Sequence, residues 1–249
     1  MVIFRSIAFL CLLVLAAPAF AHDAPARAAK AEQAVQALQK YHDGVRRAGR
    51  RPDYTVAPAA GLLRELYDVE SLATLPPPAA KDIDWLLAWS AAANHANRQV
   101  MLFGMQADGG VDEQLMKRNL DDYEDQVTAA MNAVIRLNAR ALDAMAVFLS
   151  GLPKAQVTPV RLEGLQMARA GGGEVLQGVL ISAAHAAKPA NARILIAAIN
   201  DTRETWVNAI LPDDRPKIVA LLKQLPRQVS DRDVTGTADA LLVAFTEKQ

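Results

Sequence analysis

Cysteine is nearly absent from this chain: Cys11 is the only one. A lone thiol excludes an internal disulfide, a thiolate metal cluster and covalent c-type haem. Aromatic residues are scarce, at 5%, and turn-bounded runs of β-branched residues are lacking, which removes the usual signature of a sheet. An excess of charge is missing as well. The 27 basic residues match the 27 acidic ones, so neither a nucleic-acid field nor a funnel for acidic substrates follows. Reaction motifs are missing too. There is no Glu-x-x-His on paired helices, no His-Glu-x-x-His, and no glycine-rich phosphate loop after a strand. The acidic run Asp121-Asp122-Tyr123-Glu124-Asp125 lacks the alternating ligands and central glycine of a calcium loop. No cofactor and no metal are expected.

The N-terminus reads as an export signal. Arg5 is the short basic start, Ile7 to Ala17 the apolar core, and Ala19-Phe20-Ala21 places small residues where a signal peptidase reads them. The apolar run is short for a membrane span. Leu10 precedes Cys11, where a lipoprotein would carry a small residue. The expected cut is Ala21–His22, giving a periplasmic or secreted protein that sheds its only cysteine. A cysteine-free exported chain of about 230 residues must rely on its apolar core, and that length suffices. The expected organisation is a signal over residues 1–21, an N-terminal helix and connector over 22–58, and a helical bundle over 59–249, with no transmembrane span after cleavage.

What is abundant is alanine and leucine at helical spacing. From Asp112 to Leu152, apolar residues recur at Leu120, Tyr123, Val127, Ala130, Val134, Leu137, Ala141, Met145 and Phe148. Steps of three and four place these on one face of a helix. No glycine or proline interrupts the stretch before Ser150, so it predicts one continuous spine. Upstream, Ala24 to Arg47 is helix-favouring and ends in Arg46-Arg47-Ala48-Gly49-Arg50-Arg51, favourable charge at a helix end followed by a glycine stop. Residues 50–58 form a connector and 59–72 a short helix, before Leu75-Pro76. Lys81 to Gln106 is apolar almost all round and should be buried on most sides, and Asp108-Gly109-Gly110 turns the chain into the spine. Thr158-Pro159 opens a further helix containing Gly171-Gly172-Gly173, where the glycines either let a neighbour pack closely, their usual service in a helix, or let the helix kink. Leu-Pro at 75, 152, 211 and 225, with Ser230 as a cap, punctuates the rest. The expected fold is all-α, a single-domain bundle of four longer helices (81–107, 112–150, 159–187 and 190–211), its open sides covered by the N-terminal helix and two short C-terminal ones.

Candidate site residues come from matching levels across short turns, since neighbouring helices then run antiparallel. Around the turn near 108–111, His95 lies level with Glu124, and Arg98 with Asp121 and Asp122. Around Lys188, Glu174 lies level with Arg203. His95 and Glu124 have the chemistry of a base with its orienting carboxylate, or of half a metal site, with His185 within a turn or two. The plainer reading of both pairs is a buried polar contact that fixes helix register. Ser182 and His185 share a face but lack the strained elbow of a nucleophile. The chemistry in hand therefore points to non-catalytic binding of a partner protein or envelope component, with His95, Arg98, Glu124, Glu174 and Arg203 as weak binding candidates and no catalytic residue assigned. The alternatives are a metal- or cofactor-dependent bundle enzyme using His95 and Glu124, and an apolar-ligand carrier entered near Gly171–Gly173 and Trp85/Trp89.

Overall fold

The computed structural model describes residues 24–73, 75–104 and 111–247. The expected signal, its cut at Ala21–His22 and the turn at Asp108-Gly109-Gly110 lie outside them. In order, the helices are α1 (Ala24–Arg47), α2 (Ala59–Leu66), α3 (Val69–Ala73), α4 (Ile83–Met101), α5 (Glu113–Asp122), α6 (Glu124–Ser150), α7 (Pro159–His185), α8 (Pro189–Asp201), α9 (Arg203–Ala209), α10 (Arg215–Gln228) and α11 (Arg232–Thr246). Single 3₁₀ turns precede α4 and α7. No strand occurs among the described residues, so the all-α expectation holds. No described helix is long and apolar enough to cross a membrane.

Local chemistry explains most boundaries. Gly49, at φ +63°, takes the left-handed conformation that ends α1, while the Arg50 N–H donates to Val45 O. Asp112 caps α5 through the N–H groups of Gln114 and Leu115, and Thr158 caps α7 with proline at its first position. Several expected boundaries move: the helix expected over 59–72 divides into α2 and α3, and the one expected over 81–107 runs from Ile83 to Met101. Pro226 lies inside the last turn of α10 instead of ending it, and Asp231, not Ser230, caps α11.

The spine is two helices, not one. Tyr123, at φ −114° and ψ 26°, separates α5 from α6. The cause is tertiary. Asn119 Nδ2 donates to the Phe103 carbonyl (2.6 Å), Asp122 is drawn to Arg51, and the Tyr123 hydroxyl reaches Pro52 O (3.2 Å). These contacts hold α5 back against the end of α4 while α6 continues into the core. The helix expected over 190–211 breaks likewise at Thr202. The Thr202 hydroxyl donates back to Ala198 O (2.7 Å), an arrangement that bends helices, and accepts from the Trp206 indole (2.9 Å).

Packing divides around α6. One side of α6, including Val127, Ala130, Val134, Leu137 and Ala141, joins α1 to α4 in a first core. Another side, Ile135, Ala139, Leu142 and Met145, joins α7 to α11 in a second. This corrects the four-helix plan. Leu38 of α1 and Phe245 of α11 are both fully buried, so the terminal helices build the cores instead of covering them. Each such side chain contributes ~1.5–3 kcal/mol over its exposed state. Gly172 and Gly173 serve close packing, as expected. A Cβ at Gly172 would lie 3.1 Å from both Leu142 Cδ1 and Trp206 Cζ3, and one at Gly173 3.1 Å from Asp214 Oδ2. The helix α7 runs through them unbroken.

Candidate functional site

The level-matched pairs do not form. His95 is exposed on α4, with its Nε2 3.4 Å from Gln99 Nε2. Glu124, half-buried at the start of α6, accepts the Lys188 N–H (3.2 Å) and so ties down the entry to α8. Arg98 is half-buried on α4, and His185 is exposed at the end of α7. Glu174 and Arg203 are also exposed. Arg203 donates to Asn200 Oδ1 (3.3 Å), while the Lys217 amine, its pKa raised chiefly by its hydrogen bond to Asp214, also senses the Glu174 charge. Level along an axis says nothing about rotation around it, and the breaks at Tyr123 and Thr202 change that rotation. No three metal-ligating side chains converge among the described residues.

Polar groups gather elsewhere. On the buried stripe of α1, His42 follows Val35 and Leu38 at helical spacing and is 2% exposed. Its Nε2 lies 2.7 Å from the Tyr54 hydroxyl. The imidazole sits between aromatic rings, with centroids 5.2 Å from Phe103 and 5.7 Å from Tyr54. Burial, reinforced by the Arg46 cation, pushes its pKa down to about 4, so the ring is neutral near pH 7. Tyr54 in turn meets Tyr123 edge-on, at 4.9 Å between centroids, a favoured aromatic geometry.

The connector that delivers Tyr54 is itself fastened. Asp53 Oδ1 accepts the N–H and the hydroxyl of Thr55, a turn typical of aspartate. The Tyr41 hydroxyl accepts the Asp53 N–H (2.9 Å) and faces its carbonyl. Arg51 lies over the Tyr123 ring, 5.1 Å from its centroid, pairs with Asp122 and donates to Asn119 Oδ1 (3.0 Å). One histidine and three tyrosines thus clamp the connector between α1 and the α5–α6 junction.

Beside this clamp opens a cleft of about 250 Å³. Tyr54 and the α2 residues Leu63 and Arg64 form one side, with Tyr67 just beyond that helix; Asp125, Gln126 and Ala129 of α6 form the other. Its charges are unequal. The Asp125 carboxylate is held by Lys188 (2.7 Å) and Asn191 (2.9 Å), and these bonds lower its pKa. Arg64 is exposed and has no carboxylate within ion-pair distance among the described residues. Tyr67 is 8% exposed, and its hydroxyl, sealed from solvent, has no hydrogen-bond partner. Burial pushes its pKa up, so it stays a proton donor. A buried hydroxyl left unpaired costs about 1–3 kcal/mol, and with no exposed surface it lies behind the cleft wall rather than in the opening.

None of these cleft residues except Asp125, named within the acidic run, was singled out in the sequence. One signal was available: all four tyrosines, Tyr41, Tyr54, Tyr67 and Tyr123, belong to this corner. Comparison with known proteins adds nothing to the geometry: no family model, no curated protein and no solved structure matches this chain.

Proposed function

We propose that this is an exported helical protein that works by binding, and that the cleft between the connector, α2 and the start of α6 holds a carboxylate-bearing side chain of an envelope partner protein. The observation that carries the reading is the uncompensated cation Arg64 on the wall of a cleft otherwise built from tyrosine rings and apolar side chains. Leu63, Ala129 and the tyrosine rings supply apolar walls. Size supports a side chain over a cofactor, since ordinary small-molecule pockets enclose ~300–1,000 Å³ and this one encloses about 250 Å³. The three-part N-terminus supports export.

Site-specific photocrosslinking in the native host tests the binding reading. A photoreactive residue at Gln126 is expected to give a discrete adduct that Arg64→Glu abolishes, whereas one at exposed Lys223 gives none. Equal labelling at both positions, or none at Gln126, would refute it. N-terminal sequencing of the fractionated protein tests export, with His22 expected first; Met1 on protein from the cytoplasmic fraction would contradict it.

A further inference from the structure

Two charged side chains line the cleft, Arg64 on one side and Asp125 on the other. Left to themselves they sum to zero, and a visiting carboxylate would meet repulsion from Asp125 as well as attraction to Arg64. What breaks the tie comes from outside the cleft. Lys188, in the turn between α7 and α8, is not part of the lining. Its Nζ donates to Asp125 Oδ2 (2.7 Å), and the amide of buried Asn191, in the first turn of α8, donates to Oδ1 (2.9 Å). Both carboxylate oxygens are therefore engaged from the α8 side, at the positive end of that helix. No carboxylate engages Arg64 in the same way among the described residues.

Lys188 thus decides the sign of the cleft. With it, Arg64, Asp125 and Lys188 together carry one net positive charge; without it, Arg64 and Asp125 cancel. Joining the start of α8 to α6 does not need the lysine side chain. Glu124 already accepts the Lys188 N–H (3.2 Å), and Asn191 already reaches Asp125. The ion pair itself is more than half exposed on both partners, at 56% and 57%, and such pairs add little to stability. The chemistry left for the Lys188 ammonium is to offset a carboxylate that would otherwise oppose an anionic ligand.

We propose that Lys188 sets the specificity of the cleft, neutralising Asp125 so that Arg64 selects a carboxylate over a neutral group, a role that rests on the reading of the cleft as a carboxylate site. Lys188 acts through Asp125 without touching the ligand, as a positioning residue.

Titration of the full chain with N-acetylphenylalanine at low ionic strength, read by NMR at the Leu63 and Ala129 methyl groups, tests it. Lys188→Met weakens the affinity about threefold, and Asp125→Asn strengthens it about threefold. The double variant returns close to the wild type, and Lys188→Arg, which keeps the charge, keeps the affinity. A purely structural pair gives a different pattern: each single variant breaks the same contact, so both move the affinity in the same direction. At ~1 M salt, where charges are screened beyond ~3 Å, the differences shrink. N-acetylphenylalanine amide, which has no carboxylate, does not distinguish the variants. Same-direction changes in the two single variants, or a double variant as weak as Lys188→Met, would overturn the proposal and leave the cleft reading standing. A wild type silent to the probe would overturn both.

Discussion

Acid should loosen this protein through His42. In the unfolded chain the imidazole binds its proton near pH 6.5, whereas in the fold burial delays protonation to about pH 4. Between those values the unfolded state carries a proton that the folded state lacks, so stability falls as pH falls through the window. At ~1.4 kcal/mol per pH unit, the full shift sets a ceiling of ~3 kcal/mol. Screening where the ring still senses water reduces the expected loss to ~2 kcal/mol. Carboxylates held low by their partners, such as Asp125 beside Lys188, add their own loss only below the ordinary carboxylate range. Urea unfolding of the wild type and of His42→Gln, which keeps a polar group for Tyr54, should be compared near pH 7 and near pH 4.5. The wild type should lose most of its ~2 kcal/mol over that interval, and the variant markedly less. Parallel losses in the two proteins would refute the assignment of a neutral, buried His42.

The packing makes further predictions. Gly178 has open space where a Cβ would go, so Gly178→Ala should raise stability by ~0.5–1 kcal/mol in thermal melts. Gly172→Leu should lower it by ~1–3 kcal/mol, because Leu142 and Trp206 already fill the position. Leu38→Ala in the first core and Phe245→Ala in the second should each cost ~2–5 kcal/mol. Because α6 belongs to both cores, calorimetry should show one transition moving as a whole, and two resolved transitions would contradict the shared helix.

Much of the fold was legible because it depends on periodicity. The apolar spacing of 112–152 is real: Val127, Ala130, Val134, Leu137 and Ala141 line the first core, while Ile135, Ala139 and Leu142, which lie off that stripe, help build the second. What could not be read were events caused by distant residues. Tyr123 interrupts a helix that contains no breaker, because Asn119, Asp122 and Tyr123 itself are held by residues 68 to 71 positions away or by the end of α4. Thr202 does so through a hydroxyl that any helix could tolerate. The candidate site was less legible. Turn-matching gives the height of His95 and Glu124 but not which way they face, and His95 faces solvent. His42 was concealed by fitting an apolar stripe so well. The scarce tyrosines were the better guide: a polar tip on an apolar ring suits a half-buried site, and all four converge on one corner.

The most direct test of the cleft is a titration of the isotope-labelled protein with N-acetylphenylalanine, a probe with one ring and one carboxylate, followed by NMR. The account predicts shifts confined to Tyr54, Leu63, Arg64, Tyr67, Gln126, Ala129 and their neighbours, abolished in Arg64→Ala. Shifts centred elsewhere, or a response that survives Arg64→Ala unchanged, would contradict it.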